Sequence, residues 1–328
     1  MIDRRAFTSA MLSLMAMPSI SARTAQGRGY PVKPVSIITP APAGVGPDVI
    51  ARTFAGELAQ IWDQQVVVIN KPGAGGLIGL RAVAEAPADG YSLYLPLSST
   101  FVALPERIHK LPLDLERDLV PIALIGEQPM VITTNAGTGI DSMKALIAVA
   151  KKQPGKLTFG ATQGSLPHLV GELLKERAGI DLTFVPYSNM RQAMQDAVGG
   201  TLQVYIESVA GVAGHIKAGA LNGLAVASAR RLPDHPELPT VGEALPGIGA
   251  LEARGWFALM ARKGLPMEIL RKLRADAPTV LKRPSVVQRF GALGTYITPM
   301  SSAQLAEFIR SEQALWRPIV RRVTRAAG

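Results

Sequence analysis

The 328-residue chain contains no cysteine. That absence removes a disulfide framework, thiolate-bound zinc, iron–sulfur clusters and a cysteine nucleophile together. Histidine is nearly as scarce: His109, His168, His215 and His235 show no metal-ligand spacing, so no metal site and no cofactor are expected. Aromatic residues make up 5%, too few for base-stacking platforms, and the basic residues behind the +10 formal charge are scattered. Nucleic acid is therefore excluded as a partner. The one tight basic cluster, Arg317, Arg321, Arg322 and Arg325, reads as a solvated helix end favoured by the helix dipole. Beyond the N-terminus no run reaches ~18 unbroken apolar residues, so no membrane span is expected. What remains, 48% hydrophobic and 18% charged, is the balance of an ordinary folded chain, and its length fits about two domains.

Residues 1–26 read as an address, not as fold. Arg4 and Arg5 precede an uncharged Met-, Leu- and Ala-rich stretch closed by Pro18 and small residues, the layout of an export signal. The apolar part is too short to span a bilayer, so cleavage is expected over anchoring. The paired arginines suit a twin-arginine or an ordinary secretory route alike, and the expected location is the periplasm. Removal of the signal leaves a net charge of about +8.

From residue 30 onward, short apolar runs bounded by Gly and Pro alternate with segments of helical period, which predicts an α/β fold with largely parallel strands. One series predicts strands at residues 35–39, 66–69 and 91–97 with helices at 48–62 and 77–85. After extended runs at 121–125 and 130–133, a second series places helices at 142–152, 168–178 and 191–198 among strands at 157–160, 182–186, 204–207 and 223–227. Asp141 is the expected N-cap of the first of these helices. Residues 230–249 read as a long connection, followed by a strand at 256–261 and helices at 268–281, 285–290 and 303–320. No internal repeat stands out. The expected domains are residues 27–128 with 255–328, and residues 129–254.

Two glycine-rich strand-to-helix loops invite a dinucleotide reading, but their spacing fails. From Gly44 and Gly46 the third glycine of G-x-G-x-x-G falls on Val49, from Gly73 and Gly75 it falls on Ile78, and neither loop carries a P-loop Gly-Lys-Ser/Thr. What survives is backbone amides and a helix dipole offered to an anion such as a carboxylate. Ser165 and His168 admit a hydrolase reading without the G-x-S-x-G elbow, or a cap and a loop-tying histidine. Asp48 admits a general base or, more simply, a helix-start acid.

The ordered motifs resemble the extracytoplasmic substrate-binding proteins of tripartite tricarboxylate transporters, the Bug receptor family. The resemblance is carried by Tyr30-Pro-Val-Lys-Pro-Val35, Pro40 to Arg52, Asn70-Lys-Pro-Gly-Ala-Gly-Gly76, Asp89-Gly90-Tyr91, Leu111-Pro-Leu-Asp114, His168-Leu169, Val185-Pro-Tyr187, Gly199-Gly200 and Pro239-Thr240-Val241, in family order over nearly the whole mature chain. It implies a two-lobed α/β fold of the type II periplasmic-binding (Venus flytrap) class that holds a small organic acid between lobes. It further implies a non-enzymatic monomer that delivers this ligand to a membrane permease; a ligand-sensing periplasmic receptor and an exported hydrolase are the alternatives.

Carried over residue by residue, the resemblance implies ligand contacts at Ala41, Ala43, Gly44, Val45, Gly46 and Asp48 in the first loop. In the second loop they fall at Ala161, Thr162, Gly164, Ser165 and His168, with Ser98 and Ser99 as a third wall. Main-chain amides, not an arginine clamp, are expected to grip the carboxylate. Several positions depart from the family pattern: Val45 and Pro47 replace a usual glycine and hydroxyl residue, the stretch from Gly160 to His168 is one residue short, and Asn189 stands where glycine is usual.

Overall fold

The computed structural model describes residues 29–249 and 251–325; the expected export signal lies outside them. The first half contains β1 (Val35–Thr39), α1 (Gly46–Trp62), β2 (Val66–Asn70), α2 (Leu77–Glu85), β3 (Ser92–Tyr94), α3 (Ser98–Val102), α4 (Leu104–Arg107) and β4 (Leu119–Asn135). It continues through α5 (Met143–Lys152), β5 (Thr158–Ala161), α6 (Leu166–Ala178), β6 (Thr183–Pro186), α7 (Met190–Val198), β7 (Val204–Ser208), α8 (Val209–Lys217) and β8 (Leu221–Val226). The chain ends with α9 (Val241–Ala244), β9 (Arg254–Arg262), α10 (Met267–Leu281), α11 (Pro284–Gly291) and α12 (Ser302–Arg325).

Strands join in the order β2-β1-β3-β9-β4-β7-β5-β6, with β8 also on β4. β1 is parallel to β2 and β3, and β5 is parallel to β6 and β7, as βαβ connections require. β4 is the exception that organises the molecule. Up to Pro129, opposite Arg254, it pairs antiparallel with β9; from Met130, opposite Ser208, it pairs with β7 and then β8. The two extended runs read from the sequence are thus one strand, and the register shifts beside Pro121, where proline cannot donate to a ladder.

Helices cover both faces of both ends of this array. α1, α10 and α11 bury Phe54, Leu273 and Phe290 against β1 and β9, while the opposite face holds Leu80, Phe101 and Trp256. At the other end, α5 and α6 pack Leu146 and Leu173 around Phe159, and the far face holds Val212 and Ala193. α12 belongs to two of these cores. Its Leu305 and Ile309 pack with Trp256, and its Trp316, Ile319 and Val320 pack with Phe159 and Leu173.

Local differences from the sequence reading have local causes. Ser142, not Asp141, caps α5, accepting from the Ala145 amide at 3.3 Å. α8 escaped notice because Gly211 and Gly214 give it poor intrinsic propensity. The segment read as a third wall is the short helix α3. The basic cluster is not merely solvated: Arg317 and Arg321 both pair with Glu106 of α4, at 2.8 and 2.5 Å, and Arg322 pairs with Glu176 of α6 at 2.9 Å.

Candidate functional site

Both candidate loops leave the C-terminal edge of a parallel strand and enter a helix, and they are built alike. In the first, Gly44 adopts φ +82° and donates its amide to Asp48 Oδ2 at 2.8 Å; in the second, Gly164 adopts φ +72° and donates to His168 Nδ1 at 3.0 Å. Each helix has proline as its second residue, Pro47 or Pro167, and neither N-cap residue, Val45 or Ser165, makes a side-chain cap bond. Proline removes one first-turn amide from each helix and the Asp48 amide is used on the Val45 carbonyl at 2.9 Å, which leaves the Gly46 and Leu166 amides, at the positive ends of the helix dipoles, for an external acceptor. A shared five-residue pattern, Gly-x-x-Pro followed by a polar residue, runs through Gly44–Asp48 and Gly164–His168. This is an internal repeat that the sequence reading missed because it spans only one turn.

Asp48 is an anchor and not a base. Its side chain is 3% exposed and also accepts from Arg52 Nε at 2.9 Å and Asn70 Nδ2 at 2.7 Å. Burial pushes its carboxyl up, but the hydrogen bonds from Arg52, Gly44 and Asn70 outweigh burial and hold it below the ordinary aspartate value. Asn70 also donates to the Ala41 carbonyl at 3.0 Å, and Ala41 is fully buried; of the candidate residues in the first loop, Ala43, Gly44 and Val45 are the exposed ones.

His168 is likewise buried and stacks on Phe184 with 3.7 Å between ring centres. Burial pushes its imidazole below the ordinary histidine value, with Lys175 adding to the shift and Glu172 opposing it. Because Nδ1 accepts the Gly164 amide, the neutral ring carries its proton on Nε2. Ser165 Oγ is buried without a hydrogen-bond partner, so Ser165 and His168 do not form a nucleophile–base pair. Ala161 is fully buried at the end of β5, and the Thr162 amide points at Met190 Sδ, 3.4 Å away. Asn189, the departure from the family glycine, caps α7 by accepting from the Arg191 amide at 2.8 Å and the Gln192 amide at 3.2 Å.

The third wall joins the other two. Ser98 and Ser99 line a cavity of about 20 Å³ together with Gly164 and Leu166 of the second loop and with Arg254, Glu312 and Trp316. On the other side, a Cβ built on Gly76 (φ +103°) would lie 2.9 Å from Thr100 Oγ1 and 3.7 Å from Pro40, so α3 also abuts the start of the first loop. Ala43, Gly44, Val45 and Gly46 do not line the cavity. Arg254, Glu312 and Trp316 were invisible as site residues in the sequence, since they lie on β9 and α12, far along the chain. The larger groove, about 900 Å³ between α8, α11 and residues 294–299, contains no candidate loop residue. It is an open trough with a largely apolar floor, and neither the start of α1 nor that of α6 lines it. Among the described residues there is no cluster able to hold a metal and no helix long and apolar enough to cross a membrane.

Residues 50–324 match the model of the tripartite tricarboxylate transporter family receptor. The chain belongs to that family. It is 37% identical to Protein BugT of Bordetella pertussis over 294 residues, covering 89% of this chain and 90% of that protein. Among solved structures, an adipate-bound protein of R. palustris is 27% identical with a TM-score of 0.76, covering 90% of this chain and 98% of that one. Malate-bound MatC from Rhodopseudomonas palustris is 25% identical with a TM-score of 0.72, covering 89% and 100%. The fold is accordingly the two-lobed α/β binding-protein fold of this receptor family.

Proposed function

We propose that this receptor captures a small dicarboxylate between its lobes and hands it, chemically unchanged, to the permease of a tripartite tricarboxylate transporter. The observation that carries the reading is the pair of helix starts without side-chain caps, at Gly46 and Leu166, which the proposed division puts on opposite lobes: each offers the positive end of its dipole to an anion, and a two-ended acid suits both. Adipate and malate on the similar proteins are both dicarboxylates. The proposed contacts are Ala43, Gly44, Val45 and Gly46 with Ser98 and Ser99 from one lobe, and Thr162, Gly164 and Ser165 from the other. Ala41, Asp48, Ala161 and His168 hold the loops in shape behind them.

The lobes proposed are residues 27–128 with 255–328, and 129–254, a division supported by the partner exchange of β4 between Pro129 and Met130. α12 starts on the first lobe and ends on the second. The cavity joining Ser98 to Gly164 has room for about one water, so ligand entry requires the loops to part. The receptor works as a periplasmic monomer, exported by the signal at residues 1–26. A thermal-shift screen of mono-, di- and tricarboxylates tests the reading, since a ligand at 100 times its Kd stabilises the fold by about 2.7 kcal/mol. Dicarboxylates raising the midpoint is the expected result; no shift with any acid would overturn it.

A further inference from the structure

Where α12 passes from one core to the other, its buried side chain is a carboxylate. Glu312 is 4% exposed, and its Oε2 accepts from Trp256 Nε1 at 3.2 Å and from Trp316 Nε1 at 3.3 Å. Trp256 stands in the first-lobe core on β9, and Trp316 in the second-lobe core. One oxygen thus accepts from an indole packed in each core, Trp256 on β9 and Trp316 one turn further along α12. The same carboxyl borders the cavity shared by Ser98, Ser99, Gly164 and Leu166. We propose that Glu312 is a positioning residue for ligand capture, a joint on α12 whose negative charge, once ionised, opposes the approach of an anion to the Ser98 and Gly164 loops. The proposal rests on the ligand reading above.

Burial makes ionisation of Glu312 unfavourable, and the charges that face it offset that only in part. From β9 comes Arg254, whose charge is already matched by Glu127 of β4 at 3.2 Å and by Glu252 at 2.9 Å, and whose guanidinium lies 5.1 Å from the Phe308 ring centre on α12. α3 and α6 bring only Ser98, Ser99, Gly164 and apolar groups to this cavity. An ionised Glu312 therefore adds a second uncompensated negative charge beside the site proposed to receive an anion. Burial pushes the carboxyl up to about 7; Arg254 and the two indoles oppose that rise and Glu127 adds to it. By linkage, anion binding and protonation at Glu312 then favour one another.

Indole fluorescence tests this directly, because two of the three tryptophans donate to the group in question. The third, Trp62, bonds to Asp276 and is replaced in a Trp62→Phe background; subtracting the Glu312→Gln titration with Trp62 intact serves the same end. Emission of the ligand-free protein is expected to change between pH 5 and 9 with a midpoint near 7, and to stay flat in Glu312→Gln, which keeps an acceptor for both indoles. Adipate and malate, as probes, are expected to bind at least about threefold tighter at pH 6 than at pH 8 in the parent, and equally at both in Glu312→Gln. A parent emission without titration, or one that survives in Glu312→Gln, overturns the proposal whatever the probes do. Equal affinity at both pH values with a normal titration overturns the link to capture. If neither acid binds at any pH, the ligand reading fails for these acids, and the emission arm still decides whether Glu312 titrates at the joint.

Discussion

Asp48 and His168 hold the same post in two loops: each is the third residue of its helix, and each accepts the amide of a positive-φ glycine four residues earlier. One is an anion fixed by three donors; the other is a neutral ring fixed by one donor and a stacked phenyl. The difference makes their responses to acid separable.

Asp48→Asn is expected to cost about 1–3 kcal/mol at pH 7, because Arg52 and the Gly44 amide lose their charged acceptor. The folded Asp48 carboxyl lies below its ordinary value, so its contribution is present at neutral pH and fades as pH falls through the folded value. Urea unfolding of parent and variant should differ at pH 7, and the difference should shrink as pH falls below the ordinary aspartate value.

His168→Gln tests the second post. The folded imidazole lies below the ordinary histidine value, so the unfolded chain takes up its proton first and stability falls as pH drops below about 6.5. The variant should show a shallower loss of stability between pH 7 and 5 than the parent. An identical slope would show that His168 does not stay neutral on folding.

Gly76→Ala is expected to destabilise by roughly 1–3 kcal/mol, since it combines a left-handed φ of +103° with a Cβ 2.9 Å from Thr100 Oγ1. Gly79→Ala, at ordinary φ and 3.2 Å from Pro40, is the control and should cost less in the same denaturant titration.

If backbone amides grip the ligand, methyl esterification of one carboxyl should weaken binding sharply, while Ser165→Ala should cost only about 0.5–1.5 kcal/mol, one neutral hydrogen bond. Calorimetry on acid and ester, with solution scattering to detect a smaller radius of gyration when the acid is bound, checks both contact and closure. Equal affinity for acid and ester would remove the amides from the mechanism.

The sequence disclosed what local chemistry determines. Val35–Thr39 with its glycine-rich exit, and the helices after it, follow from composition and period, and so do the two loops that enter α1 and α6. It hid what depends on distance along the chain. Nothing near Pro121 or Met130 says that one strand carries both, because prolines at 121 and 129 imitate breaks. Nothing near Glu312 says that an indole on Trp256, on a different element, will share its oxygen with Trp316. Val209–Lys217 was lost to its own glycines, and the likeness of the two loop starts was too short to register as a repeat.

α12 makes the integrity of one core depend on the other. Leu305 and Ile309 complete one core and Trp316, Ile319 and Val320 complete another, and all five side chains stand on a single helix. Loss of that helix opens both interiors together, and a slip by one turn would displace packing in both. It is a seam through which damage to either interior is felt in its neighbour.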